Sequence, residues 1–204
     1  VTTAATPARP PVSGTLPPRM ALAMSYYPAL PPVLALLANL GSEEVVRAAL
    51  GTHCLDSLVV TTLSSGQGTA SEKAGWLLCL LSSEPAPAAA LLAHNGGLSA
   101  IVHHGRRGGV QVAEEAAWAL ATLSAEGKQA KALIARPHVI SLLVDLLRAP
   151  SPAVSLQAVW ALANLSLLHS ARPVLIEHAA LEALLQKLQL LAPTPPPPAP
   201  PPPP

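Results

Sequence analysis

The chain has 204 residues, a formal charge of +1, 50% hydrophobic residues and only 11% charged ones, against roughly 25% charged in ordinary globular domains. So small a charge offers no basic field for nucleic acid, and two cysteines, Cys54 and Cys79, are too few for a disulfide framework or a thiolate zinc site. A mean hydropathy of +0.42 invites a membrane reading, but Glu84, Glu126, Arg136, Asp145 and Arg148 break the longest apolar runs short of the roughly 18–20 residues that a span needs.

In chain order, residues 1–32 hold eight of the 24 prolines and read as a Pro-rich, largely disordered segment. The first residue is Val, which reads as a fragment or a processed product. Residues 33–40, VLALLANL, form an apolar octet that returns as AGWLLCLL (74–81), AAWALATL (116–123) and AVWALANL (158–165), at steps of 41, 42 and 42 residues. The three Trp of the chain, Trp76, Trp118 and Trp160, take the same place in the last three octets. A second apolar segment runs ahead of each Trp: LDSLVVTTL (55–63), LSAIVHH (98–104) and ISLLVDLL (140–147). A fourth, LEALLQKL (181–188), is followed by proline instead of an octet. Each second segment is preceded by a short helical run and a break, as in AALLAHNGG and AKALIARPH.

One unit is therefore a short helix, a tight turn, a second helix, a polar loop and a longer third helix. The loops SSGQGTASE (64–72), GRRGGVQ (105–111) and RAPSPAV (148–154) carry the Gly, Pro and Ser that turns use. Ser151 before Pro152 reads as an N-cap with proline at the first helical position. Ser71 before Glu72 reads as a similar start, the acid facing the helix dipole. No window alternates with period two, so no strand is predicted. Complete units fall near 43–82, 85–125 and 128–167, with a lone third helix at 33–40 and two helices at 170–191. A third helix that is apolar nearly all round needs neighbours on both sides, which stacked units supply. The two incomplete ends are expected to expose apolar faces, to associate end to end, or to be covered by further repeats.

A three-helix unit of about 42 residues closing on AVWALANL resembles the armadillo repeat. Trp followed four residues later by Asn is similar to importin-alpha, the adaptor that binds nuclear localisation signals. The resemblance covers residues 33–191 and implies an all-α, right-handed superhelical solenoid whose third helices line the concave side. Residues i and i+4 share a helix face, which pairs Trp160 with Asn164, Trp118 with Thr122, Trp76 with Leu80 and Ala35 with Asn39. In that family the indoles wall slots for Lys or Arg stems, and the Asn amide holds an extended peptide's N–H and C=O. This chain departs from the pattern: the full Trp-plus-Asn pair occurs once, at Trp160 and Asn164. The acid three residues before Trp is present only as Glu115, with Lys73 and Gln157 at the matching places. The candidate groove is Trp76, Trp118, Trp160, Asn164, Thr122, Glu115 and Asn39.

The function this implies is non-enzymatic binding of an extended peptide or protein segment, most specifically a nuclear localisation signal held by an import adaptor. The alternative is an armadillo scaffold, as in substrate recognition by a ubiquitin ligase or at a cytoskeletal junction, with the Trp serving only to fill space between helices. No cofactor, metal, nucleic acid or membrane span is called for. His53, His94, His138 and His178 recur once per unit and read as turn residues. Cys79 aligns with Ala38, Ala121 and Ala163 and reads as a buried packing residue. The cysteine usage fits a cytoplasmic or nuclear setting, or both. Arg106 and Arg107 sit in a loop without the Lys-Ser/Thr ending of a phosphate cradle and read as solvated. Residues 192–204 are a polyproline tail, a spacer or a ligand for domains that read polyproline helix.

Overall fold

The computed structural model describes residues 30–64, 68–107 and 109–191. The expectations for residues 1–29, for the loop positions 65–67 and for the tail 192–204 lie outside the described residues. Among those described there are helices and no strands: α1 (Leu30–Leu40), α2 (Glu44–His53), α3 (Leu55–Leu63), α4 (Thr69–Leu81), α5 (Pro85–Ala93), α6 (Gly97–Arg106), α7 (Val110–Ser124), α8 (Gly127–Ile134), α9 (Pro137–Leu147), α10 (Pro152–Ser166), α11 (Ala171–Glu177) and α12 (Ala180–Leu191).

These helices form three columns. The third helices α1, α4, α7 and α10 pack in that order, the second helices α3, α6, α9 and α12 run beside them, and the first helices α2, α5, α8 and α11 form a third column that touches both. The apolar octets explain the order. Leu77, Leu78 and Leu81 of α4, Leu120 and Leu123 of α7, and Leu165 of α10 are wholly inaccessible to solvent. Each such leucine contributes roughly 1.5–3 kcal/mol of gross burial. Small residues let the columns close up: a methyl placed on Gly105 of α6 would stand 2.8 Å from the Cβ of Ala116 on α7. The core is thus one continuous seam along the array, as stacked repeats require.

Several local readings change. α1 begins at Leu30, so Pro31 and Pro32 belong to its first turn and not to the segment before it; proline is tolerated there because those N–H groups have no partner in a helix anyway. α4 begins at Thr69 with Gly68 at the N-cap position. Ser71 is consequently not a cap: it is buried within the helix, and its hydroxyl donates to the carbonyl of Thr62 at 3.0 Å. Ser151 does stand at the N-cap of α10 with Pro152 behind it, yet its side chain makes no capping bond. Gly109 enters α7 at φ 88°, a left-handed backbone that glycine adopts without a Cβ penalty. Arg106 ends α6 instead of lying in a loop. It donates to the Ser141 hydroxyl at 3.2 Å and lies 3.9 Å from Asp145, while Arg107 reaches the Ser71 hydroxyl.

Among the described residues no single helix is long and apolar enough to cross a membrane; α4 and α5 reach that length together, but they are bent by 118°.

Candidate functional site

The 42-residue step places the three indoles on successive third helices, Trp76 on α4, Trp118 on α7 and Trp160 on α10, and these helices stack directly. Two hollows lie between them. The first, about 430 Å³, is walled by Trp76 and Trp118, floored by Leu80 and edged by Gln111, Glu114 and Glu115. The second, about 580 Å³, runs from Trp118 to Trp160 over Ala121, Thr122, Ala163 and Asn164. Trp118 and Gln157 line both, so the hollows are contiguous. Trp76 and Trp118 are half-buried, whereas Trp160 is 61% exposed, because no described third helix follows α10. Six of the seven candidate residues meet here. Asn39 does not: it is exposed on α1, away from both hollows.

The acid expected to meet a basic ligand is already engaged. His104 is completely buried, and its Nε2 lies 2.8 Å from Oε2 of Glu115. A carboxylate only accepts, so Nε2 carries the proton. The other carboxylate oxygen accepts from the Gln111 amide at 3.1 Å. Glu115 is therefore held at both oxygens with its side chain 13% exposed, and the neighbouring Glu114 is the open carboxylate at the mouth of the first hollow. The His104 ring has room only because position 75 is glycine; any Cβ there would run into the ring at Nδ1. Nδ1 has no hydrogen-bond partner among the described residues. Glycine next to Trp76 thus admits the imidazole that fixes Glu115. Burial pushes the Cys79 thiol far up, and the Glu115 charge adds to the shift, which makes Cys79 an unreactive packing residue.

Asn164 and Thr122 are also partly committed. The Asn164 amide donates to the Ser124 hydroxyl at 3.1 Å, tying α10 to the end of α7; this uses one of its four hydrogen-bonding positions. The Thr122 hydroxyl donates to the carbonyl of Trp118 at 2.9 Å within its own helix, so it does not mimic an Asn amide. Gln157 was in plain view in the sequence, three residues before Trp160 in the register of Glu115, and a search for carboxylates passes over it. Glu114 and Gln111 carry no repeat signal at all. His104 is eleven residues from Glu115 and on another helix, so only the packing reveals it.

Of the four repeated histidines expected at turns, His94 and His178 cap the ends of α5 and α11, whereas His53 is the last residue of α2 and His138 lies in the first turn of α9. His94 Nδ1 accepts from the Gly96 N–H at 3.0 Å, which leaves Nε2 to donate to Asp56 at 2.8 Å. His103 and His138 are held below the usual imidazole value, first by burial and then by neighbouring basic groups, Arg107 and the adjacent His104 ring for the former, Arg136 and Arg106 for the latter. Among the described residues no three His, Cys, Asp or Glu side chains gather as a metal site would need.

Stacked three-helix units with this period form an all-helical solenoid with the fold of armadillo repeat proteins. Residues 127–167 match the armadillo/beta-catenin-like repeat model. A designed armadillo repeat protein in complex with the peptide (KR)4 is similar at 26% identity and a TM-score of 0.66, over 84% of this chain and 74% of that one. A second designed armadillo repeat protein is similar at 24% identity and TM-score 0.69, over 83% and 73%. An engineered protein gives 22% identity and TM-score 0.65, over 83% and 70%. No curated protein matches.

Proposed function

We propose that the chain is a non-enzymatic binding solenoid that takes an extended peptide across α4, α7 and α10, with cationic stems lying between the indoles. The observation that carries this reading is the pair of contiguous hollows sharing Trp118. Aliphatic stems of Lys or Arg fit between indole faces, where cation–π attraction contributes about 0.5–2 kcal/mol. Glu114 supplies the open charge at the first hollow, and Gln157 and Asn164 supply amides that hydrogen-bond in both directions. The peptide bound by one designed armadillo neighbour, (KR)4, supports a ligand of this kind.

A nuclear-import adaptor in the cytoplasm or nucleus is the narrow form of this proposal. One specific observation favours the broader scaffold instead. The amide ladder is incomplete, with Leu80 in place of one Asn and the Thr122 hydroxyl turned to its own helix. An alternating Lys/Arg octapeptide, titrated against tryptophan fluorescence, separates the two readings. Groove binding predicts saturable quenching that weakens as salt rises, because charge contributes to it. No saturation at millimolar peptide, with the protein folded by circular dichroism, would leave the scaffold reading standing.

A further inference from the structure

Among the described residues, the two ends of the array are open in complementary ways. There α1 is a third helix with no described first and second helix before it, and α11 with α12 are a first and second helix with no described third. In register with the other octets, Val33, Leu36 and Leu40 of α1 are 50%, 58% and 44% exposed. Their counterparts in the complete units are Ala74, Ala116 and Ala158, then Leu77, Ala119 and Ala161, then Leu81, Leu123 and Leu165, and all nine are 0% exposed. The far end repeats the pattern. Leu181, Leu185 and Leu188 of α12 are 50%, 51% and 64% exposed, where Ile140, Val144 and Leu147 of α9 are 0%, 3% and 0%. α1 therefore bares the positions that a preceding first and second helix would cover, and α12 bares those that a following third helix would cover.

A seat for that third helix exists. α10 rests on α7, α8 and α9 in the complete unit. The equivalent place one unit on is an open groove of about 580 Å³ between α10, α11 and α12, with Leu162, Leu175 and Leu184 in its wall. We infer that a second copy of this chain docks head to tail, its α1 lying in this groove as the missing third helix. Docking also sets the partner's α2 beside α11, as α2 sits beside α5 within the chain. There Arg47 of α2 pairs with Glu84 at the head of α5. Glu43 holds the same place at the head of α2, and Arg172 lines the open groove on α11, so the charges match as well as the apolar faces. Each copy has one head and one tail, and a heterologous contact of this kind adds copies in line instead of closing a two-fold dimer.

Sedimentation velocity of the 204-residue chain over a concentration series tests this without any variant. Mass should climb in steps of the 20.8 kDa chain, and a single-copy mass at all concentrations overturns the inference, as does groove filling from within one chain. Two blocked forms then test the direction: Leu36→Glu with Leu40→Glu at the head, and Leu185→Glu with Leu188→Glu at the tail. Each alone should remain a single copy, and an equimolar mixture should give a one-to-one pair that grows no further. A mixture that stays single, or a head-blocked form that still pairs with itself, contradicts head-to-tail docking. Gln in place of Glu at the same positions serves where circular dichroism finds a Glu form unfolded.

Discussion

The middle of the array and its first described helix are built from the same octet, yet they bury it to opposite extents. Leu120 at the centre of α7 is wholly inaccessible, and Leu36 on α1 is 58% exposed. What differs is the neighbourhood: α7 has third helices on both sides, second helices beside it and a first helix behind, whereas among the described residues α1 has only the units that follow it. A solenoid repeat therefore does not carry its own core; the core is a property of adjacent pairs. The groove follows the same rule. Each hollow is made by two units, so the central indole, Trp118, is shared while Trp160 at the edge stays 61% exposed.

The contrast predicts its largest effect in stability. Leu120→Ala should cost about 2–5 kcal/mol through the cavity it leaves. In dilute solution Leu185→Ala, at a side chain 51% exposed, should stay within about 0.5 kcal/mol. Urea unfolding of both checks this, and equal losses would mean that the two regions do not differ as described. Gly75→Ala comes next, at about 1–3 kcal/mol for overpacking, because the added methyl collides with the His104 ring; thermal unfolding measures it.

The two adjacent carboxylates divide the same way. Glu115→Ala should cost about 1–3 kcal/mol, since it strips the hydrogen-bond partner from a fully buried imidazole. Glu114→Ala should leave stability within about 0.5 kcal/mol and weaken peptide binding, read by titration and urea melts on the same samples. At the far end Ala179 takes φ 57°, a left-handed conformation that disfavours a Cβ by roughly 1–2 kcal/mol. Ala179→Gly should accordingly raise the urea midpoint, and no rise would mean that the turn is relaxed.

The smallest effect is the response to acid. The folded chain holds His103 and His138 below their ordinary value of 6.5, so the unfolded chain binds protons more readily as pH falls. Stability is then full above about pH 6.5 and declines as pH drops through that value towards the lowered folded ones. The melting temperature should be lower at about pH 5.5 than at about pH 7.5, and His138→Gln should shrink the difference. A melting temperature that rises on acidification contradicts the assignment.

Most of the fold was legible because the signal is periodic. Three Trp at one interval inside matching octets fix the unit, and helix content follows from the absence of alternation. Boundaries were less legible where a residue has two uses. Ser71 has the look of a cap, yet it is spent on the Thr62 carbonyl inside α4. Pro31 and Pro32 look like linker and instead open α1. At the groove, the indoles and Asn164 declare themselves by register. The state of Glu115 does not, because its partner His104 and the glycine that admits the ring belong to two other helices. Sequence spacing reports which residues share a helix face, and it says nothing about what presses on that face from behind.

The central claim is that the two hollows act as one site through the indole they share. Single alanine replacements at Trp76, Trp118 and Trp160, each titrated with the alternating Lys/Arg octapeptide by calorimetry, test it directly. The account predicts that Trp118→Ala loses most, at least about 2 kcal/mol or roughly 30-fold in Kd, with the two flanking replacements losing less. A folded Trp118→Ala protein that binds as tightly as the parent, while either flanking replacement weakens it, would contradict the account.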